Sequence, residues 1–210
     1  KMTGEGALQY LTAERVWQEI YKALETPHFG KFILTMRECG ALREILPEAD
    51  RLWDMPEILA YHPEGNSGAH TLLALEKGEN LDPITKYALL LHDIGKIGIK
   101  DSVLQKEGKL TDEEYKHIQE HVRITHNILN KIYMSSDFRM ITEIACSHHE
   151  KWDGTGYYRH LKGEEITLGG RILAVADVFD AITSKRHYRD KMPIQNVIDI
   201  LLTGKDKHFD

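Results

Sequence analysis

His70, His92, Asp93, His121, His148, His149 and Asp177 are the residues of this sequence whose types and spacing could do chemistry. Consecutive members lie about one helix and one connection apart, so a helical bundle could bring one ligand group per helix to a shared centre. Neutral imidazole and carboxylate suit borderline divalent ions, which favours Fe, Mn, Ni or Zn over Mg or Ca. The adjacency of His92 and Asp93 has a physical use. A carboxylate has two oxygens, each able to hold a different cation, so Asp93 could bridge two metals. His70, His92 and Asp177 would then complete one site, and His121, His148 and His149 the other. This arrangement suits two-metal hydrolysis, in which both ions clamp a phosphate and lower the pKa of a water held between them. Lys96, one turn past the ligands, would offset charge on phosphate oxygens in the transition state. Asp93 and Lys96 are therefore the catalytic candidates.

Each of these residues has an ordinary alternative. A single histidine is commonly a hydrogen-bonded core or surface residue, and Lys96 could satisfy helix C-terminal carbonyls. The order H…HD…H…HH…D carries the metal reading, because each member falls on its own expected helical segment. His117, paired i, i+4 with His121, is read as solvent-facing, and Cys146 as a small core residue. In RILAVADVFDAITSKRHYR (171–189), Ile172, Leu173, Val175, Ala176 and Phe179 supply a core face. Asp177 is costly among them unless paired or metal-bound. Asp180 shares its side, with Thr183 one turn later. Asp180, Thr183, Arg186 and Arg189 are the candidate substrate contacts, the arginines for phosphate or a purine base, with solvated arginines the ordinary alternative. The stretch DGTGYY (153–158), directly after His148-His149, is expected to form a substrate-facing rim and a possible contact for a signalling protein.

The elements that must position these residues read as helices throughout. Thr12 can cap a helix to about Glu25, and a second amphipathic stretch covers Phe29 to Cys39. Asn66 or Ser67 can cap the helix carrying His70, which ends near Gly78. Asp82 with Pro83 opens the helix of LLHDIGK, expected to run to Gly95. Thr111 to Glu114 forms a capping box before the helix of His121. Further helices are expected over about 137–150, 169–184 and 193–203. The fold class is all-α, with a helical extension over 1–65 and a metal-binding helical domain over 66–210.

Composition bounds what this can be. The 210 residues are 41% hydrophobic and 29% charged, as in an ordinary soluble protein. Two cysteines exclude a disulfide framework and fit a reducing, cytoplasmic setting. No apolar run reaches the roughly 20 residues of a membrane helix, and KMTGEGALQY is not expected to act as a signal peptide. A formal charge of −6 gives no support to tracking a nucleic-acid backbone. The expected partner is a small phosphodiester or nucleotide, with metals supplying positive charge.

His70, His92-Asp93 and Asp177 together resemble the signature of the HD phosphohydrolases, an all-helical superfamily. From HDIGKIGIKDSVLQKEGKLTDEEY to HYRDKM the chain is similar to the HD-GYP subfamily, above all in SHHEKWDGTGYYRHLKGEEITLGGRILAVADVFDAITS. That resemblance implies hydrolysis of cyclic di-GMP at a binuclear or trinuclear iron or manganese site. It implies metal binding by the seven residues above, phosphate binding by Lys96 and substrate contact by Arg186 and Arg189. Segments 11–48 and 62–76 instead resemble the region leading into the HD tail of bacterial tRNA nucleotidyltransferases. Those tails act on 2′,3′-cyclic phosphates and nucleotides with a preference for nickel, which supplies an alternative substrate class. A metal-binding signalling module of weak activity is the alternative from outside catalysis. Two positions depart from the HD-GYP pattern. Tyr158 replaces the proline of GYP, and Asn66 replaces a glutamate of trinuclear members, so two metals are expected.

Overall fold

Local capping chemistry marks where four of the helices start. The computed structural model describes residues 7–57, 65–106, 108–132, 138–183 and 192–210. Thr12 accepts a hydrogen bond from Arg15 N and opens α1 (Ala13–Leu24). Asn66 accepts from Ala69 N at the start of α5 (Ser67–Lys77). Asp82 accepts from Ile84 N and Thr85 N ahead of Pro83, which begins α6 (Pro83–Leu91). The Thr111–Glu114 capping box is formed in both directions and opens α8 (Asp112–Leu129). Between α1 and α5 lie α2 (Phe29–Glu38) and the short α3 (Ala41–Ile45) and α4 (Pro47–Asp50). The remaining helices are α7 (Asp101–Leu104), α9 (Met140–Ala145), α10 (Leu168–Thr183) and α11 (Ile194–Thr203). The described residues form no strand, only the isolated bridges Pro56–Asn66 and Lys205–Phe209. The fold is all-α, and no helix among them is long and apolar enough to cross a membrane.

The centre of the molecule is α6. Leu89, Leu90 and Leu91 are at most 1% exposed. Each such burial is worth roughly 1.5–3 kcal/mol, which fixes the helix that delivers His92 and Asp93. Helices α1, α5, α9 and α10 pack around it. The N-terminal helices share this core: Ile20, Leu24, Phe29 and Ile33 belong to the same cluster as Leu89–Leu91, Ile141 and Leu173. Trp17 meets Tyr87 and Phe138 edge-on, at centroid separations of 5.3 and 4.3 Å. Lys86 is buried, and its ammonium donates to Leu24 O at 3.1 Å and Thr26 O at 3.0 Å. It thereby satisfies carbonyls that the end of α1 leaves open.

Two helices end differently from expectation. The helix of LLHDIGK stops at Leu91, and the chain continues through a 3-10 turn over Ile94–Gly98. The cause is a backbone crossing. A Cβ on Gly95 would lie 1.9 Å from His121 O, so α8 and the turn touch main chain to main chain. Thr125 Oγ1 accepts from Gly95 N at 2.9 Å and donates to His92 O at 3.0 Å, replacing helical bonds lost at the break. The helix expected over 137–150 covers only Met140–Ala145, and residue 137 lies outside the described residues. Ser147 N bonds Ile144 O and Glu150 N bonds Ser147 O, tightening the chain into turns that carry His148 and His149.

Candidate metal centre

Helix ends and faces from five directions meet at one point. His70 comes from α5, His92 and Asp93 from the end of α6, His121 from α8, His148 and His149 from the turns after α9, and Asp177 from α10. They form two groups, His70–His92–Asp177 and His121–His148–His149, each with its ligand atoms within 4.8 Å of one another. Asp93 stands between the groups. Its Oδ2 lies 3.3 Å from His92 Nε2, and its Oδ1 lies 3.5 Å from His121 Nε2 and 4.0 Å from His148 Nε2. His70 Nε2 lies 3.4 Å from Asp177 Oδ1. One carboxylate therefore addresses both groups, each through a different oxygen.

The imidazoles are aimed by their rear nitrogens. Nδ1 of His92, His121 and His148 lies 2.8, 2.7 and 2.6 Å from the carbonyls of Leu89, Ile118 and Ala145, each three residues back. A carbonyl can only accept, so these Nδ1 atoms carry the proton and the Nε2 lone pairs face the centre. His70 Nδ1 is held instead by Asp180 Oδ2 at 3.0 Å, and Asp180 also pairs with Lys77. Burial, followed by the neighbouring His121, depresses the His149 pKa to about 3. Burial and the surrounding rings hold His148 well below its ordinary value, and burial lowers His121. Burial opposes ionisation of Asp93, but His92 and Lys96 outweigh it and hold the carboxyl well below the usual range. His92 moves the other way: burial lowers it, yet Asp93 and Asp177 raise it overall. Neutral imidazoles at His121, His148 and His149 beside an ionised Asp93 suit a divalent ion, and binding one at His92 would displace the proton its raised pKa favours. The buried Nε2 of His92 lies 3.3 Å from Asp93 Oδ2 without a well-formed hydrogen bond, so its lone pair is available to a cation. The residues fit two metal ions.

A cleft of about 710 Å³ opens onto this centre, in the size range of small-molecule sites. Its walls include Lys96, His121, His148 and His149, with Tyr115, Tyr157, Lys109 and Lys151 further out. Tyr157 comes from the 153–158 loop and stacks on His149 with centroids 4.7 Å apart, which brings that loop to the rim. Tyr158 has φ +127°, which a proline ring cannot adopt, so the loop follows a path closed to the GYP pattern. Asp180 and Thr183 are turned away from the cleft. The Asp180 carboxylate, 1% exposed, serves His70 and Lys77, and Thr183 Oγ1 donates to Phe179 O at 2.8 Å. Asp180 was expected to contact substrate from its position beside Asp177, and the structure places its carboxylate against His70 and Lys77. Arg186 and Arg189 lie outside the described residues. His117 Nε2 accepts from Lys100 N at 3.3 Å and stays out of both ligand groups, and Cys146 is buried.

Three residues of the site escaped sequence reasoning. Thr125 is one turn beyond His121 on α8, a spacing that could have flagged it. Glu150 is buried and accepts from Arg159 N at 2.7 Å and Leu161 N at 3.1 Å, holding the glycine-rich loop. Glu57, buried on the cleft wall, lies 2.6 Å from Lys96 Nζ. It carries no motif signal at all.

A family model described as the HD domain matches residues 69–210, and a model described as the probable RNA and SrmB-binding site of polymerase A matches 6–52. A cyclic di-GMP phosphodiesterase of Vibrio cholerae is 41% identical over 174 residues, covering 72% of this chain and 35% of that protein. A cyclic di-GMP phosphodiesterase of Thermotoga maritima is 47% identical over 122 residues, covering 57% of this chain and 33% of that one. A multifunctional CCA protein of Teredinibacter turnerae is 37% identical over 150 residues, 70% of this chain and 35% of that protein. The chain thus spans about a third of the length of these relatives.

Proposed function

This chain belongs to the HD domain family, and on that premise we propose that it is a metal-dependent phosphohydrolase whose preferred substrate is a cyclic dinucleotide such as cyclic di-GMP. The observation that carries the reading is Asp93, a single carboxylate presenting one oxygen to each of two three-ligand groups. Two divalent ions held there would supply Lewis acidity and an activated water, with iron or manganese the proposed pair for this imidazole–carboxylate set. The chain's own groups do the rest. The three carbonyl-tethered histidines keep their Nε2 atoms on the centre, and Asp180 does the same for His70. Lys96 meets the non-bridging phosphate oxygens with its ammonium. The cleft wall of Tyr115, Tyr157, Lys109 and Lys151 offers aromatic faces for bases and positive charge for a second phosphate. The similarity to two cyclic di-GMP phosphodiesterases supports this substrate class.

A second reading has its own support. The 6–52 match and the CCA relative favour a 2′,3′-cyclic phosphodiesterase or nucleotide phosphatase. In either case residues 1–65 form the helical extension and 66–210 the catalytic part, and the 153–158 rim is the proposed contact for a signalling protein. Protein loaded with Mn(II) or Fe(II) and assayed against cyclic di-GMP, 3′3′-cGAMP and 2′,3′-cyclic AMP separates the readings. Faster turnover of cyclic di-GMP than of 2′,3′-cyclic AMP is expected, and the reverse order selects the second reading. Absence of hydrolysis with metal bound would leave the chain a binding module.

A further inference from the structure

Glu57 lies between the two matched segments, 6–52 and 69–210, yet its carboxylate is in the catalytic cleft. It is 3% exposed, and its Oε1 accepts from Lys96 Nζ and from Ser67 Oγ, both at 2.6 Å. The backbone holds it there. Glu57 N donates to Gly65 O at 3.2 Å, and Ser67 N donates to Met55 O at 3.0 Å, which fastens the Glu57 strand of chain to the start of α5. Glu57 belongs to neither ligand group.

We propose that Glu57 is a positioning residue for Lys96, holding the ammonium at the phosphate site when Asp93 is engaged by metal ions. This rests on the phosphohydrolase reading above. An ammonium has three donors. In Lys96 one goes to Asp93 Oδ2 at 2.8 Å and one to Glu57, leaving the third for a ligand. Lys96 is only 8% exposed, so its charge needs a partner. Asp93 is the carboxylate that two cations would draw upon, and its hold on Lys96 would weaken with them bound. Two cations beside Lys96 would also repel it. Glu57 is the other carboxylate ion-paired with Lys96 among the described residues, and it makes no demand on the metals. Without it, the lysine is left with a shared counter-charge and a repulsive neighbour, and its aim at the phosphate is lost.

The test is a double-mutant cycle on the full chain loaded with Mn(II), with metal content measured for every variant. Orthophosphate affinity is read by calorimetry for wild type, Glu57→Gln, Lys96→Met and the double variant. Glu57→Gln keeps an acceptor for Ser67 and is expected to weaken phosphate binding about 5–10-fold at unchanged metal content. Lys96→Met should weaken it at least as much, and adding Glu57→Gln to Lys96→Met should cost nothing further. Additive losses, or an unaltered Glu57→Gln, overturn the proposal. Should Glu57→Gln not fold, Glu57→Asp keeps the charge and withdraws it by one methylene: weaker phosphate binding at full metal content supports positioning, and wild-type affinity overturns it. Failure of the wild type to hydrolyse any phosphodiester would sink the functional reading alone, since the phosphate cycle needs no turnover.

Discussion

At the scale of single residues, the proposed metal centre should depend on Asp93 more than on any one histidine. It is the group shared by both ligand sets, so Asp93→Ala is expected to lower metal affinity by more than about 100-fold, since even outer-shell partners are worth roughly 10–100-fold. Hydrolysis should disappear with it, and elemental analysis beside a phosphodiester assay checks both. Retention of full activity would refute the two-metal reading. The same residues make stability pH-dependent in the metal-free protein. His121, His148 and His149 have depressed pKa values in the fold, so the unfolded chain takes up their protons first. Their contribution is present above the ordinary histidine pKa of about 6.5 and is lost as pH falls, down to about 3 for His149. His92 is raised and acts oppositely, its contribution present below about 6.5 and lost as pH climbs past its raised value. Three groups oppose one. Urea midpoints of metal-free protein should therefore fall on acidification below about pH 6.5, and added Mn(II) should flatten that profile where it stays bound.

At the scale of elements, the crossing of α8 over the Ile94–Gly98 turn is the joint that sets the site. Gly95→Ala would drive a methyl into His121 O, and relief requires α8 or the turn to move. A loss of at least about 2 kcal/mol is expected, at the upper end of overpacking costs because the obstacle is backbone. Thermal melting with a metal titration checks it; a variant as stable as wild type would show that the two elements are not locked. This joint also marks where the sequence stopped being legible. The caps at Thr12, Asp82 and Thr111 are written in three or four adjacent residues, and the helices they open were readable. Gly95 reads locally as a helix stop, but the true break comes at Leu91, because Thr125, thirty residues on, supplies the bonds that replace the helical ones. The candidate ligands come together in the two groups expected from their types and places, and that they bind metal is the proposal. The i+3 spacing of Asp180 from Asp177 gives a side of the helix, but not that His70 lies against it. Glu57 gave no sign, since it meets Lys96 by a contact across 39 positions of sequence.

At the scale of the whole molecule, the segment preceding α5 shares one core with the helices that carry the candidate centre. Its apolar residues complete the core around α6, and Lys86 reaches from α6 to the end of α1. Replacing Lys86 by Met keeps much of the buried stem but leaves the carbonyls of Leu24 and Thr26 without their donor. A loss of about 1–3 kcal/mol is expected from those unsatisfied groups, seen as a lower urea midpoint; an unaltered midpoint would show that water replaces the ammonium there. The Lys86 tie has a further consequence in time. Lys86 lies on α6, which ends one residue before His92, so fraying of α1 should loosen the helix that delivers Asp93. Amides of α1 and α6 should then share one opening free energy in hydrogen exchange, and metal added at the far end should slow exchange in both. What looks like an appendage would behave as the slow clock of the active centre, setting how long the ions stay.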